Sequence, residues 1–413
     1  MKTQNRSSQQ YKPGLKDNWK QFALLVLINA FVGGMVGLER TILPEIAETD
    51  FGIAARSAIF SFIVVFGITK AVSNYFAGRF AQQFGRKKML VVGWLFGLPV
   101  PFILMYAPDW NWIVVANLFL GINQGLAWSA NVIMKIDLAG EKDRGLAMGL
   151  NEFAGYVAVA VVAFLTGWIA TEMGLRPYPF VLGIVLAVLG LVMSIRFVRD
   201  TAPFVEYESK NSKEEHIKKN LFWEVSFGDR NMQAVSQAGM MTNFKDGMAW
   251  GAFPLFLAAA GLSMTQIGIV VAVYPAFWGI LQVVTGKISD YTGRKKMLWA
   301  GMLVQGMSLL MFPFLEQFYL FVLVAALLGT GTAMVYPTFL AAIADLTHPQ
   351  DRAESVGVFR LWRDGGYAIG AIFSGIIADL FDINLAIILT GALAIASAGW
   401  IMAGMNRLNK PVK

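Results

Sequence analysis

The sequence predicts an all-α membrane protein: twelve transmembrane helices in two pseudo-symmetric six-helix bundles. Three observations carry that expectation. Of 413 residues, 56% are apolar and only 15% are charged, whereas a water-soluble domain is usually ~45–50% apolar and ~25% charged. The apolar residues arrive in runs of about 20, long enough to cross a ~30 Å hydrocarbon core as helix. A set of short motifs in the first half also recurs, in order, in the second.

The spans read, in order, as 20–43, 57–83, 89–107, 111–134, 146–171, 178–195, 232–259, 265–288, 297–315, 317–344, 354–378 and 383–405. The seventh is the least regular, because Lys245 and Asp246 interrupt its apolar run. Residues 14–22, with Leu15, Trp19 and Phe22 among lysines, read as a short interfacial helix leading into span 1. That first span is too long for a cleavable signal and is followed by eleven more. The charged stretch Lys210–Lys219 lies in the longest connection, 199–231, read as a solvated linker. The domains are therefore 1–198, the linker 199–231, and 232–413.

With an even number of spans, both termini lie on one side. If that side is the cytoplasm, most of the 34 Lys and Arg face it, and the opposite face holds only Arg56 and Arg176. This is the positive-inside asymmetry, and it accounts for the formal charge of +7 without a nucleic-acid partner. The chain has no cysteine, and its two histidines, His216 and His348, fall in predicted loops. Thiolate chemistry is thereby excluded, no metal site is expected and no cofactor is implied.

The repeat sets the architecture. Gly85-Arg-Lys-Lys-Met-Leu90 recurs unchanged as Gly293-Arg-Lys-Lys-Met-Leu298, an offset of 208. At that offset Gly78 matches Gly286, and Asp143-Arg144 matches Asp351-Arg352. Near offset 214, Asn29, Gly33 and Gly37 match Asn243, Gly247 and Gly251. Two homologous six-helix halves are the plan of a rocking transporter with its site at the midplane.

On these motifs the chain resembles the major facilitator superfamily over its whole length. The family's loop signature after spans 2 and 8, Gly-x-x-x-Asp-Arg/Lys-x-Gly-Arg/Lys-Arg/Lys, matches Gly286, Asp290, Gly293, Arg294 and Lys295 in the second half, with Tyr291 in the first basic slot. In the first half Gly78, Gly85, Arg86 and Lys87 match, but Gln82 and Gln83 replace the acid and the base. A carboxylate there favours the positive N-terminus of a neighbouring helix, for Asp290 that of span 5, so the resemblance implies a gating role. Gln82 has no charge to offer, which leaves the equivalent latch between spans 2 and 11 open. Two departures weaken a drug-antiporter reading: Gly155-Tyr156 is not followed by the proline of the span-5 signature, and Gly121 stands where an arginine usually precedes Gln124-Gly125.

Apart from those toward the cytoplasmic span ends, nine ionised residues fall within spans: Glu39, Arg40, Lys70, Glu152, Lys245, Asp246, Arg360, Arg363 and Asp364. At about 2.5–3.5 kcal/mol each on insertion scales, the summed penalty is on the order of 20–30 kcal/mol unless they are paired, hydrated or interfacial. Spans 1, 2, 5, 7 and 11 hold all nine, and the resemblance makes those cavity-lining helices. Cations Lys70, Lys245, Arg360 and Arg363, with Asn74, Asn123, Gln124, Trp250 and Tyr336, are the candidate substrate contacts; Trp128 is a further stacking surface. Arginine's planar fork suits a carboxylate or phosphate. Asp246, then Glu152, with Asp364, are the candidate proton carriers, because a cation's engagement with substrate changes its grip on a neighbouring acid.

The expected function is secondary active transport of a small molecule bearing an anionic group, coupled to protons. Proton-driven export of drugs or toxic metabolites is the alternative, and a receptor on the same scaffold is the alternative of another class. Enzyme motifs such as His-Glu-x-x-His, Gly-x-Ser-x-Gly and a complete phosphate-binding loop are absent. A monomer in a bacterial inner membrane, with cytoplasmic termini, completes the expectation.

Overall fold

The computed structural model describes residues 11–40, 42–52, 56–211, 220–262 and 264–406. Among them every regular element is helical. Twelve long helical segments occupy the positions of the twelve spans: Trp19–Arg40, Arg56–Phe84, Arg86–Tyr106, Trp110–Ala139, Arg144–Met173, Tyr178–Arg196, Arg230–Ala259, Met264–Thr292, Arg294–Phe314, Phe318–Leu346, Arg352–Leu380 and Ile383–Gly404. Nine of these are apolar and long enough to cross a membrane. The other three are spans 2, 7 and 11, which carry Lys70, Lys245 with Asp246, and Arg360, Arg363 with Asp364.

Local chemistry sets the helix ends. Asp109 and Asp382 cap spans 4 and 12, their carboxylates accepting the amides of Asn111 at 2.8 Å and Leu385 at 2.7 Å. Gly85 and Gly293 precede spans 3 and 9 with φ of 89° and 87°, a left-handed turn in which a Cβ is strained. Pro275 and Pro337 lie inside spans 8 and 10. A helical proline removes the hydrogen bond to the carbonyl four residues back. For Pro337 that carbonyl is Ala333, and the Thr285 hydroxyl of span 8 donates to it at 2.6 Å.

Two details differ from the sequence reading. Residues 15–18 form a turn rather than a separate interfacial helix, held by the Asn18 amide donating to the Lys12 and Gly14 carbonyls. Phe22 is buried, so it belongs to the core. The connection after span 6 also begins with a helix, Ala202–Asn211, that buries Phe204 and Val205. Residues 212–219, including His216 and most of the charged stretch, lie outside the described residues, as do the side chains of Arg40 and Arg56.

The described chain divides into two compact units. One comprises Met1–Gly140, Phe153–His216 and His348–Gly357; the other comprises Glu141–Glu152, Ile217–Thr347 and Val358–Lys413. The starts of spans 5 and 11 thus each group with the other sequence half. Within the first unit, Gly33 lies directly against the Gly155 backbone, too close for any Cβ. Within the second, Gly370 meets the Phe244 backbone in the same way. Small residues let apolar helices approach this closely where no hydrophobic driving force exists between them. Phe76, Phe80 and Phe84 of span 2 and Val185, Val188 and Val192 of span 6 are exposed, as a lipid-facing surface requires.

Candidate functional site

The second unit buries two connected polar clusters. In one, Lys245 of span 7 places its Nζ 2.7 Å from Asp246 Oδ1, with both side chains wholly buried. The same Nζ donates to the Tyr274 hydroxyl of span 8 and, at 2.9 Å, to Thr332 Oγ1 of span 10. Tyr274 in turn donates to Asp246 Oδ1. Asp246 Oδ2 is buried with no protein hydrogen-bond partner. Consecutive residues on a helix do not face one another, so the pair meets only because Tyr274 and Thr332 draw both heads to one point.

In the other cluster, Asp364 of span 11 accepts from Arg363 Nε at 2.9 Å and from Asn243 Nδ2 of span 7 at 3.1 Å. Tyr336 of span 10 donates its hydroxyl to Asn243 Oδ1. Arg360 Nε stands 3.9 Å from the other Asp364 oxygen, an ion pair without a hydrogen bond. The Arg363 guanidinium lies 5.2 Å above the Tyr336 ring and within the electrostatic reach of Glu152. Glu152 is buried and accepts from Asn151 at 2.6 Å. Trp278 joins the clusters, its ring 4.7 Å from Tyr336 and 5.9 Å from Tyr274. One turn further along span 8, Gln282 is fully buried and neither amide atom has a protein partner. Trp250 is half-exposed, 6.4 Å from Tyr274.

The first unit holds a smaller group. Lys70 lies over the rings of Phe66 and Trp128, at 5.6 and 5.7 Å. Asn74 accepts from Ser129 at 2.7 Å. Trp128 meets Tyr156 edge-on at 5.7 Å and ends a π-helical turn, Gln124–Trp128, in span 4. Asn123 and Gln124 do not join this group: their amides donate to the Gly93 and Val32 carbonyls, at 2.9 and 2.7 Å, tying span 4 to spans 3 and 1. Glu39 accepts from Asn117 at 3.1 Å, an interhelical bond within the first unit.

The repeated motifs meet in pairs related by the 208-residue offset. Asp290 accepts the Gly145 and Leu146 amides at 2.9 and 3.2 Å, at the start of span 5, and pairs with Arg294 at 2.8 Å. Arg294 and Arg144 both reach Asp345 at 2.9 Å. Gly286 lies against the Gly145 backbone, and Lys287 pairs with Asp143 at 2.7 Å. In the first unit, Gly78 lies against Ala353, Arg79 pairs with Glu354 at 2.9 Å, and Arg86 pairs with Asp137 at 3.3 Å. Gln82 donates to the Gln350 carbonyl at 2.7 Å. Spans 2 and 11 are therefore tied without the missing acid, through Arg79 and a neutral amide. Lys87 and Lys295 donate to the carbonyls of Ile195 and Met402, each at 2.8 Å, near the ends of spans 6 and 12, where cations complement the helix dipole.

Sequence reading missed Tyr274, Thr332, Trp278 and Gln282, and also Asp137 and Asp345. The last two were discoverable, since they match at offset 208, each seven residues before a repeated arginine. Tyr274-Pro275 and Tyr336-Pro337, aromatic–proline pairs inside spans, were a weaker signal. Among the described residues, no three His, Cys, Asp or Glu side chains are grouped to hold a metal ion.

Twelve long helices among the described residues, an internal repeat and buried ionised clusters within the helices define a polytopic membrane carrier. The sequence model of the Major Facilitator Superfamily matches residues 23–243 and 235–412, and the chain belongs to that superfamily. It is a small-molecule transporter and not an enzyme. Over 377 residues, 89% of the chain and 88% of the relative, it is 22% identical to the proton-coupled antiporter flippase LtaA of Staphylococcus haemolyticus. Over 399 residues, 94% of the chain and 96% of the relative, it is 21% identical to multidrug resistance protein 2 of Bacillus subtilis. Among solved structures, the human organic anion transporter MFSD10 (TETRAN) superposes with a TM-score of 0.77 at 12% identity, covering 92% of this chain and 99% of the other. The proton:xylose symporter XylE follows the same fold, with a TM-score of 0.72 at 16% identity over 94% and 97% of the two chains.

Proposed function

We propose that this transporter moves a small substrate bearing a carboxylate or phosphate by alternating access, coupled to protons. The observation that carries the reading is Asp246. Lys245 and Tyr274 engage one of its oxygens, and the other is buried without a protein partner. A carboxyl so placed exchanges a proton when its cation is drawn away, and an anion arriving at Lys245 draws it away. Arg363 and Arg360 both reach the Asp364 carboxylate, and a planar guanidinium suits the carboxylate or phosphate of a substrate. Glu152 and Asp364 are the secondary proton sites. Within the second unit, Trp250, Tyr336 and Gln282 stand beside these clusters as further substrate contacts; within the first, Lys70 and Asn74 are the candidate contacts.

The repeated motifs act as the gate. Asp290, held by the amides of span 5, is a contact that breaks and re-forms as the halves 1–198 and 232–413 rock about the linker 199–231. The basic bias of the loops supports cytoplasmic termini, the bacterial relatives support a bacterial inner membrane, and a monomer suffices. Thermal-shift screening of grouped anions on purified protein, followed by pH-driven flux in proteoliposomes, tests the reading. Asp246→Asn that still carries the hit uphill on a pH gradient overturns the proton assignment.

Proton-antiport export is the second reading, favoured by relatives named as a proton-coupled antiporter flippase and a multidrug resistance protein. One gradient, acid outside, distinguishes the two: it drives substrate inward with the proton in symport and outward against its concentration in antiport.

A further inference from the structure

The two halves solve one electrostatic problem differently. In the second unit, Arg144 and Arg294 are matched by two carboxylates, Asp345 and Asp290. Their counterparts at offset 208 are Arg352, Arg86, Asp137 and Gln82. The motif in the first half therefore has the two arginines, both buried, but only one of the two matching acids, Asp137. The missing charge comes from elsewhere. Glu208 receives both terminal nitrogens of Arg352, each at 3.0 Å, in a two-pronged pair.

Glu208 lies on the helix Ala202–Asn211 that follows span 6. The docking face of that segment is regular. Thr201 donates to Asp137 at 2.7 Å, Phe204 and Val205 are buried, and Glu208 completes the i, i+3, i+4, i+7 stripe. This segment thus touches Asp137 at one end and Arg352 at the other.

We infer that Glu208 is a positioning residue of the gate, standing in for the acid that the first loop signature lacks at Gln82. The start of span 11 is held through Arg352 by the linker helix, so the linker is part of the closing apparatus. This rests on the reading above that these span ends form a gate. An aspartate at position 82 would sit as Asp290 does, beside Arg86 and the amides at the start of span 11, and would make Glu208 dispensable.

The absence of cysteine provides the test, because a single introduced cysteine is the sole target of a maleimide. Ser355, fully buried near the start of span 11, and its counterpart Ala147 in span 5 are the reporters. In proteoliposomes, Glu208→Gln is expected to raise N-ethylmaleimide labelling of Ser355→Cys about tenfold, the factor that 1.4 kcal/mol represents. Adding Gln82→Asp returns labelling to the parental rate. Unchanged labelling in Glu208→Gln, or a rise that Gln82→Asp does not reverse, overturns the inference. If Glu208→Gln fails to fold, the double variant decides: folding regained with Gln82→Asp supports the replacement, and folding not regained refutes it. Asp290→Asn, read at Ala147→Cys, separates the two levels. A rise there with none for Glu208→Gln removes Glu208 from a gate that stands, whereas no rise for either removes the gate itself.

Discussion

The hydroxyl of Thr285 crosses from span 8 to span 10 and donates at 2.6 Å to the carbonyl of Ala333, which Pro337 has deprived of its helical partner. In hydrocarbon an unsatisfied backbone carbonyl has no water to turn to, so the threonine repairs a break that the proline makes. The break is useful in place, since Pro337 adjoins Tyr336, which bonds Asn243.

Thr285→Val is therefore expected to lower unfolding free energy by about 1 kcal/mol, in the range of interhelical bonds within membranes. In a Pro337→Ala background the amide of residue 337 satisfies Ala333, and the same substitution costs close to nothing. A double-mutant cycle of denaturant unfolding in micelles measures the difference. Equal costs in the two backgrounds refute the repair.

Lys245 and Asp246 are buried to the same degree and lie 2.7 Å apart. Lys245→Gln strands a carboxylate and Asp246→Asn strands an ammonium, each costing about 3–5 kcal/mol. Lys245→Gln with Asp246→Asn removes both charges and is expected to recover most of that loss while leaving transport insensitive to pH. Unfolding midpoints and flux on an imposed pH gradient read the two effects separately.

Asp290 is nearly buried and binds two amides and Arg294. Replacing it by asparagine leaves Arg294 with Asp345 as its remaining carboxylate, beside the Ser289 hydroxyl, and a loss of about 2–4 kcal/mol is expected, near the range for breaking a buried pair. Gln82→Ala, by contrast, removes one exposed hydrogen bond to Gln350, which is worth about 0.5–1.5 kcal/mol. Thermal unfolding of the two variants ranks them, and the reverse order contradicts the division of labour between the halves.

Two glycines on span 11 give a paired control. A Cβ at Gly370 collides with the Phe244 backbone, while one at Gly375 meets nothing within 4 Å. Gly370→Ala is expected to destabilise by about 1–3 kcal/mol through forced helix displacement, and Gly375→Ala to stabilise by up to about 1 kcal/mol. Matching melting shifts for both would remove close helix approach as the reason for Gly370.

Much of this transporter was legible in its residue order. Hydropathy delimits the twelve spans because each must satisfy its own backbone in lipid, and that requirement is written residue by residue. The repeat at offset 208 exposes the two halves, and Lys70, Glu152, Lys245, Asp246, Arg360, Arg363 and Asp364 stand out because charge in hydrocarbon is costly. Asn123 and Gln124 stood out equally, yet their amides bind backbone carbonyls of neighbouring spans. A side chain's type does not say which helix it will face.

The sequence by itself determined the membrane class, the number and order of the spans and the duplication, all of which follow from local composition. Only the tertiary structure decided that Tyr274 and Thr332 gather Lys245 and Asp246, that Thr285 serves a proline about 50 residues away, and that Glu208 answers Arg352. These depend on the rotation and register of packed helices. In lipid, both are set by small-residue contacts and hydrogen bonds summed over many helices, and no single segment carries that sum.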